Sequence, residues 1–287
     1  MLLLLVACLL PATVRADIRV SDDSGALLVL ERPARRIVSL APYLTELLFA
    51  AGAGRYVAGV SGHSDYPPPA RELPRIGGGA GLDLERIVAL QPDLVVAWES
   101  GNPAGKVGQL QALGLRVYRS EPGTLADIGV TLERFGELAA TRAEAQIAAD
   151  VFNRRLASLR RRHADSAPVR VFYQVWDRPL MTVSGRHIIS DVLRLCGGVN
   201  VFDDLDRLAP PVGIEAVLQR DPQVIIAAAG TDRATGVLQH WQRWTNLRAV
   251  REGHLYTIPE DVLVRHTPRI LDGAERLCEI LEKVRDG

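Results

Sequence analysis

The chain has 287 residues, 47% of them hydrophobic, and its 34 basic side chains are matched by 34 acidic ones. That length predicts two domains or lobes, each able to bury a core. Zero net charge, with both signs mixed along the chain and no charged tail, argues against a nucleic-acid partner.

The first element is apolar. Residues 2–10 of "MLLLLVACLLPATVRADIRV" are too few to cross a bilayer, which needs roughly 20. They have the length of a signal-peptide core, followed by Val14-Arg15-Ala16. Cleavage after Ala16 and export to the periplasm are expected, although no Lys or Arg precedes the core. Leu5-Val6-Ala7-Cys8 has the form of a lipoprotein cleavage box. The favoured reading is a small apolar residue inside the leader, with lipid anchoring through Cys8 as the alternative. Removing the leader leaves Cys196 and Cys278. An even count in an exported chain suggests a disulfide, the alternative being two buried thiols. Closing a loop of about 80 residues would stabilise by roughly 4 to 5 kcal/mol.

Strands are predicted at residues 36–40, 56–60, 94–98 and 116–119, and in the second half at 170–176, 224–228 and 255–258. Helical spacing and caps separate them, as in Thr45-Glu46-Leu47-Leu48-Phe49 ending at Gly52. The alternation implies an α/β fold with parallel sheets covered by helices. Residues 142–163 carry the longest helical pattern, with Thr141 and Glu144 as a capping-box pair and Arg160-Arg161-Arg162 at the negative end of the dipole. Such a rod, roughly 33 Å, is long enough to bridge two lobes, the alternative being an ordinary surface helix of one domain. The expected plan is a leader at 1–16, an N-terminal α/β lobe at 17–140, a linking helix at 141–166 and a C-terminal α/β lobe at 167–287.

The halves repeat. "LERIVALQPDLVVAW" (84–98) matches "IEAVLQRDPQVIIAA" (214–228), with glutamate second, proline ninth and then an apolar strand. "TELLFAAGAG" (45–54) matches "SDVLRLCGGV" (190–199) in the same order. Two similar Rossmann-like lobes on either side of one helix would produce this pattern.

Ligands of open parallel sheets bind outside the carboxyl ends of the strands. Trp98 and Trp176 each end a predicted strand, one per lobe; Tyr66 follows the strand near Val60, and Asp261 and Arg265 follow "LYTIP". In a chain only 5% aromatic, two tryptophans at strand mouths point to a cleft for a flat or bulky ligand. Trp241 and Trp244, at helical spacing, read as packing residues.

"GVSGHSDYPP" (59–68) offers Ser61, His63, Ser64 and Asp65, the side chains of a hydrolase triad. A nucleophile elbow needs glycine where His63 stands, and triad partners meet through the fold rather than side by side. Pro67-Pro68-Pro69 reads as turn chemistry that forbids a following helical turn. The stretch is expected to be a loop presenting Tyr66, with no catalysis. The six histidines show no close pair at ligand spacing, so no metal site is expected. Glu85 and Glu215 hold equivalent places near two helix starts, which suits docking onto a symmetric dimer through arginine pockets.

"RIVSLAPYLTELLFAAG", "SDYPP", "LERIVALQPDLVVAW", "SGRHIISDVLRLCGGVNVF" and "TPRI" followed by Cys278 resemble the periplasmic cobalamin-binding proteins of ABC importers. These belong to the helical-backbone class shared with haem and siderophore binders. The resemblance implies two α/β lobes on one rigid helix, small opening motions, and cobalamin or a related corrinoid held in the cleft as transported ligand, with no cofactor. It assigns Tyr66, Trp98, Trp176, Asp261 and Arg265 to the ligand. Glu85 and Glu215 go to a homodimeric ABC permease in the inner membrane, Cys196 pairs with Cys278, and the free protein is a monomer. The family has cleft tryptophans where this chain carries Gly79 and Ala209, which implies a cleft that is wider, weaker or shaped for a different corrinoid. The alternative within the class is a haem or ferric-siderophore binder. Tyr66 or His63 would then ligate iron, while Arg178, Arg186 and Arg265 are few for a siderophore.

Overall fold

The computed structural model describes residues 17–78, 81–230 and 236–287; the expected leader, Cys8 and Gly79 lie outside them. The N-terminal lobe runs β1 (Ile37–Ser39), α1 (Pro42–Ala50), β2 (Val57–Val60), α2 (Leu84–Ala89), β3 (Leu94–Trp98), β4 (Val117–Ser120) and α3 (Leu125–Ala139). Helix α4 (Arg142–Arg162) follows. The C-terminal lobe runs β5 (Val169–Gln174), α5 (Ile188–Leu195), β6 (Gly198–Asn200), α6 (Ile214–Arg220), β7 (Val224–Ala229), β8 (Leu255–Pro259) and α7 (Ile270–Asp286). The sheets have strand orders β2-β1-β3-β4 and β6-β5-β7-β8, every neighbouring pair parallel. The two orders are the same topology used twice, as the repeated segments imply.

The repeat extends to the backbone. Gln91 and Asp221, each the residue before a proline, take φ values of 46° and 41°. A left-handed residue ends α2 and α6 in turn, and the proline prevents either helix from continuing.

Packing departs from two independent cores. Val38, Val95 and Leu110 form an outer layer on the N-terminal sheet, and Phe172, Ile225 and Trp241 one on the C-terminal sheet. The inner faces share a single apolar cluster that runs from Ile37 and Val96 through Phe152 and Leu156 of α4 to Val171, Val224 and Leu271. Ala145, Ala149, Phe152, Leu156 and Leu159 make the buried stripe of α4. At 1.5 Å per residue its 21 residues span about 31 Å. A helix anchored in both lobes by one continuous core resists wide hinge opening, because separating the lobes exposes apolar area.

The capping box forms elsewhere than expected. Thr141 makes no side-chain cap; its Oγ1 donates to the Ala51 carbonyl at 2.6 Å and ties α4 to the N-terminal lobe. The box belongs to Thr124 and Asp127 at the start of α3. At its other end α4 is tied to α7, where Arg155 pairs with Asp272 at 2.6 Å and Glu275 at 2.7 Å. Cys196, at the end of α5, is disulfide-bonded to Cys278 of α7, 82 residues on. Elements without a sequence forecast include β6, an N-terminal hairpin of Ile18–Ser21 with Leu27–Leu30, and the short pairs Gly77–Gly78 with Gly81–Leu82 and Trp176–Asp177 with Leu180–Met181. The prolines of "SDYPPP" do not exclude helix: Pro68–Glu72 is a 3-10 turn, since proline is tolerated at a first turn.

Candidate functional site

A cavity of about 880 Å³ opens between the lobes at the carboxyl ends of the strands. Roughly 300 to 1,000 Å³ is usual for ligand sites, so this one suits a bulky molecule. Trp98, from the last position of β3, lines it from the N-terminal lobe, and Trp176 from the C-terminal lobe. Ala228, the repeat partner of Trp98, lies on the same lining, as does Ala209.

The two indoles are held differently. Trp98 packs edge-on against Tyr43 at 5.8 Å and against His266 at 6.4 Å between ring centres. Its Nε1 donates to Glu121 at 3.3 Å. Gly101 leaves room for the ring, since a Cβ there would stand 2.0 Å from it. Tyr43 donates its hydroxyl proton to the Ser120 carbonyl at 3.0 Å, and burial pushes its pKa well above the usual range. Trp176 does not end its strand as the sequence suggests. Strand β5 stops at Gln174, because the Val175 N–H turns to the Met181 carbonyl and starts a short hairpin of Trp176–Asp177 with Leu180–Met181. Trp176 is 51% exposed, and its Nε1 donates to Arg178 O within the same turn.

Two histidines that the sequence offered no reason to join meet on the cavity wall. His187 and His266 have ring centres 5.7 Å apart, and both line the cavity. His187 caps α5, its Nδ1 accepting from the Ile189 N–H at 3.2 Å, which leaves the proton on Nε2. Burial lowers its pKa to about 4. Burial, with a smaller contribution from His187, lowers that of His266 to about 3. Both rings are neutral near pH 7. A sequence signal existed only for His187, a polar residue directly before an apolar helical run. Charge is confined to Asp177, Arg207 and Glu260 on the described lining.

Tyr66, Asp261 and Arg265 stand beside this lining rather than in it. Segment 260–266 presents Glu260, Val264 and His266 to the cavity, and the Arg265 guanidinium is engaged by Glu46. Arg265 donates to Glu46 at 2.8 Å and Asp65 at 2.7 Å, and pairs with Asp261 at 2.8 Å. Burial opposes its charge, but Asp65 and Glu46 outweigh that and hold the guanidinium above its usual pKa. The ring of Tyr66 is covered by the Arg269 guanidinium at 3.9 Å.

Ser61 finds no histidine. Its Oγ shares a hydrogen bond with Ser64 at 2.9 Å, Ser64 with Thr45 at 3.0 Å, and Thr45 with Ser39 at 2.9 Å. This buried hydroxyl chain fastens the loop to α1, while His63 is exposed. Trp241 is fully buried and donates to Gln174 at 2.7 Å, a packing residue as expected. Glu85 and Glu215 are exposed in the first turns of α2 and α6, and neither joins an ion pair among the described residues. Among those residues no group of three or more His, Cys, Asp or Glu could hold a metal ion.

The family described as periplasmic binding protein matches residues 37–262. The vitamin B12-binding protein of Vibrio cholerae is 40% identical over 258 residues, 90% of this chain and 92% of the relative. That of Photorhabdus laumondii is 37% identical over 246 residues, 86% of this chain and 87% of the relative. The crystal structure of the periplasmic vitamin B12-binding protein BtuF of Vibrio cholerae superposes with a TM-score of 0.82 at 39% identity, covering 89% of this chain and 99% of that one. The periplasmic haem-binding protein RhuT from Roseiflexus shares the fold at a TM-score of 0.76 and 22% identity, covering 88% and 99%.

Proposed function

This chain belongs to the periplasmic binding protein family, and from that premise we propose that it captures cobalamin or a related corrinoid between its lobes and delivers it to an ABC importer. The observation that carries this reading is the pair of indoles, one from each lobe, on the wall of one bulky cavity. Flat aromatic surface grips a macrocycle at low entropic cost, and a described lining with only three charged side chains, Asp177, Arg207 and Glu260, suits a largely apolar corrin face. Tyr66, Asp261 and Arg265, set beside the wall, meet the ligand at its periphery. Residues 1–16 act as an export leader that is removed, and the mature protein works without catalysis or a resident cofactor. Glu85 and Glu215 dock a permease with approximate two-fold symmetry, each carboxylate entering a basic pocket.

A second ligand has one observation in its favour. His266 is an uncharged imidazole on the wall, and iron of a haem accepts such a nitrogen donor. Titration of the mature protein with cyanocobalamin, haemin and a ferric hydroxamate, followed by calorimetry and indole fluorescence, separates these readings. Saturable cyanocobalamin binding is expected. A protein that responds only to haemin would refute the corrinoid assignment. For docking, the double variant E85K/E215K is expected to abolish corrinoid uptake with ligand affinity unchanged; loss of affinity would refute the docking role.

A further inference from the structure

Glu46 is a carboxylate inside the joint between the lobes. It sits on α1 with its side chain 3% exposed, and it lies outside the cavity lining. Both of its oxygens are committed to the other lobe. Oε1 accepts from Arg265 at 2.8 Å and from Arg269 at 2.8 Å, and Oε2 accepts from Arg269 at 3.0 Å. Its partners are 219 and 223 residues away in sequence. Fork-shaped donation to a carboxylate fixes orientation as well as distance, and a buried carboxylate is tolerated only when such partners surround it.

What the joint holds is the rear of the cavity wall. Tyr43 lies three residues before Glu46, one turn away on the same helix, and His266 directly follows Arg265. These two rings, one from each lobe, are 5.3 Å apart, and the Trp98 indole rests edge-on against both. The plane of Trp98 is therefore held in part by a contact that crosses the lobes, and Glu46 is the ionic fastening closest in sequence to both sides of it.

We propose that Glu46 is a positioning residue for ligand capture: by binding Arg265 and Arg269 it locks α1 to segment 265–269 and so fixes Trp98 against the cavity. The proposal rests on the cavity being the ligand site. It differs from a general stabilising role, because ion pairs elsewhere, such as Arg155 with Asp272 and Glu275, hold elements together without touching this wall.

The test compares E46Q with D272N/E275Q, using cyanocobalamin affinity, melting temperature and indole emission without ligand. E46Q is expected to weaken cyanocobalamin binding at least ten-fold and to shift the emission, and the shift is absent when E46Q is made in a W98F background. D272N/E275Q is expected to lower the melting temperature with affinity and emission unchanged. An E46Q protein with wild-type affinity and wild-type emission overturns the proposal, and so does an affinity loss that D272N/E275Q reproduces. If E46Q does not fold, E46Q/R269Q removes both charges of one arm and is read the same way. If the wild-type protein binds haemin and not cyanocobalamin, the corrinoid reading fails and the comparison is made with haemin. Emission needs no ligand, so it decides the role of Glu46 independently of the ligand's identity.

Discussion

The two tryptophan walls of the cavity are unlike each other. Trp98 is hemmed in by Tyr43, His266, Gly101 and a hydrogen bond from its own indole nitrogen. Trp176 stands half-exposed on a hairpin whose strands are two residues each, held by a bond within its own turn. A rigid ring loses little entropy on binding, whereas a mobile one adapts at the cost of ordering. In the proposed capture, the N-terminal lobe would supply a fixed surface against which the ligand is registered, and the C-terminal lobe a surface that settles on it.

That contrast can be sharpened or broken by experiment. The largest expected effect is on stability and belongs to His187 and His266, which the C-terminal lobe buries at the cavity wall, His266 against Trp98. Their folded pKa values of about 4 and about 3 lie below the ordinary 6.5, so between those limits the unfolded chain binds more protons. Stability is therefore fully present above about pH 6.5 and falls as pH drops toward 4, by several kcal/mol in total for two such groups. Asp65 and Glu275, whose carboxyls are held low by their arginine partners against a burial effect, add losses only below about pH 4. Melting curves from pH 7 to 4 should show this decline, and His187→Asn with His266→Asn should flatten it.

Next comes Trp98→Ala, which removes a packed ring from the wall. It should cost about 2 to 4 kcal/mol of stability and about 2 kcal/mol of binding, roughly 30-fold in affinity, measured by denaturant unfolding and calorimetry. Trp176→Ala should weaken binding about ten-fold while leaving stability within about 0.5 kcal/mol, as for an exposed side chain. Equal stability losses from the two substitutions would erase the distinction drawn above. The smallest effect is expected from Ala209→Trp, which adds an aromatic face to the adaptable side and should tighten binding a few-fold by calorimetry.

Much of the fold was legible because its signals are local. Apolar runs bounded by turns located seven of the eight strands in the two main sheets, and the repeated glutamate and proline exposed the duplication before any coordinates. Strand β6 was not legible, since Gly198-Val199-Asn200 has no apolar run and is paired only by its neighbour β5. The linking helix was legible in length but not in its start: Thr141 looks like a cap, yet its hydroxyl is claimed by Ala51, 90 residues away. The candidate site divides in the same way. Trp98 could be placed because β3 ends at it. Tyr43, His187, His266 and Glu46 could not, because each matters through a neighbour from a distant segment. In sequence Arg265 reads as a ligand residue following "LYTIP", and only the fold reveals the three carboxylates around it.

The central claim, that tryptophans from both lobes close on one ligand, is tested most directly by hydroxyl-radical footprinting of Trp98 and Trp176 across a cyanocobalamin titration. Protection of both indoles with one shared midpoint is expected, with Trp244 unaffected. Saturating binding that protects only one of them, or neither, would contradict it.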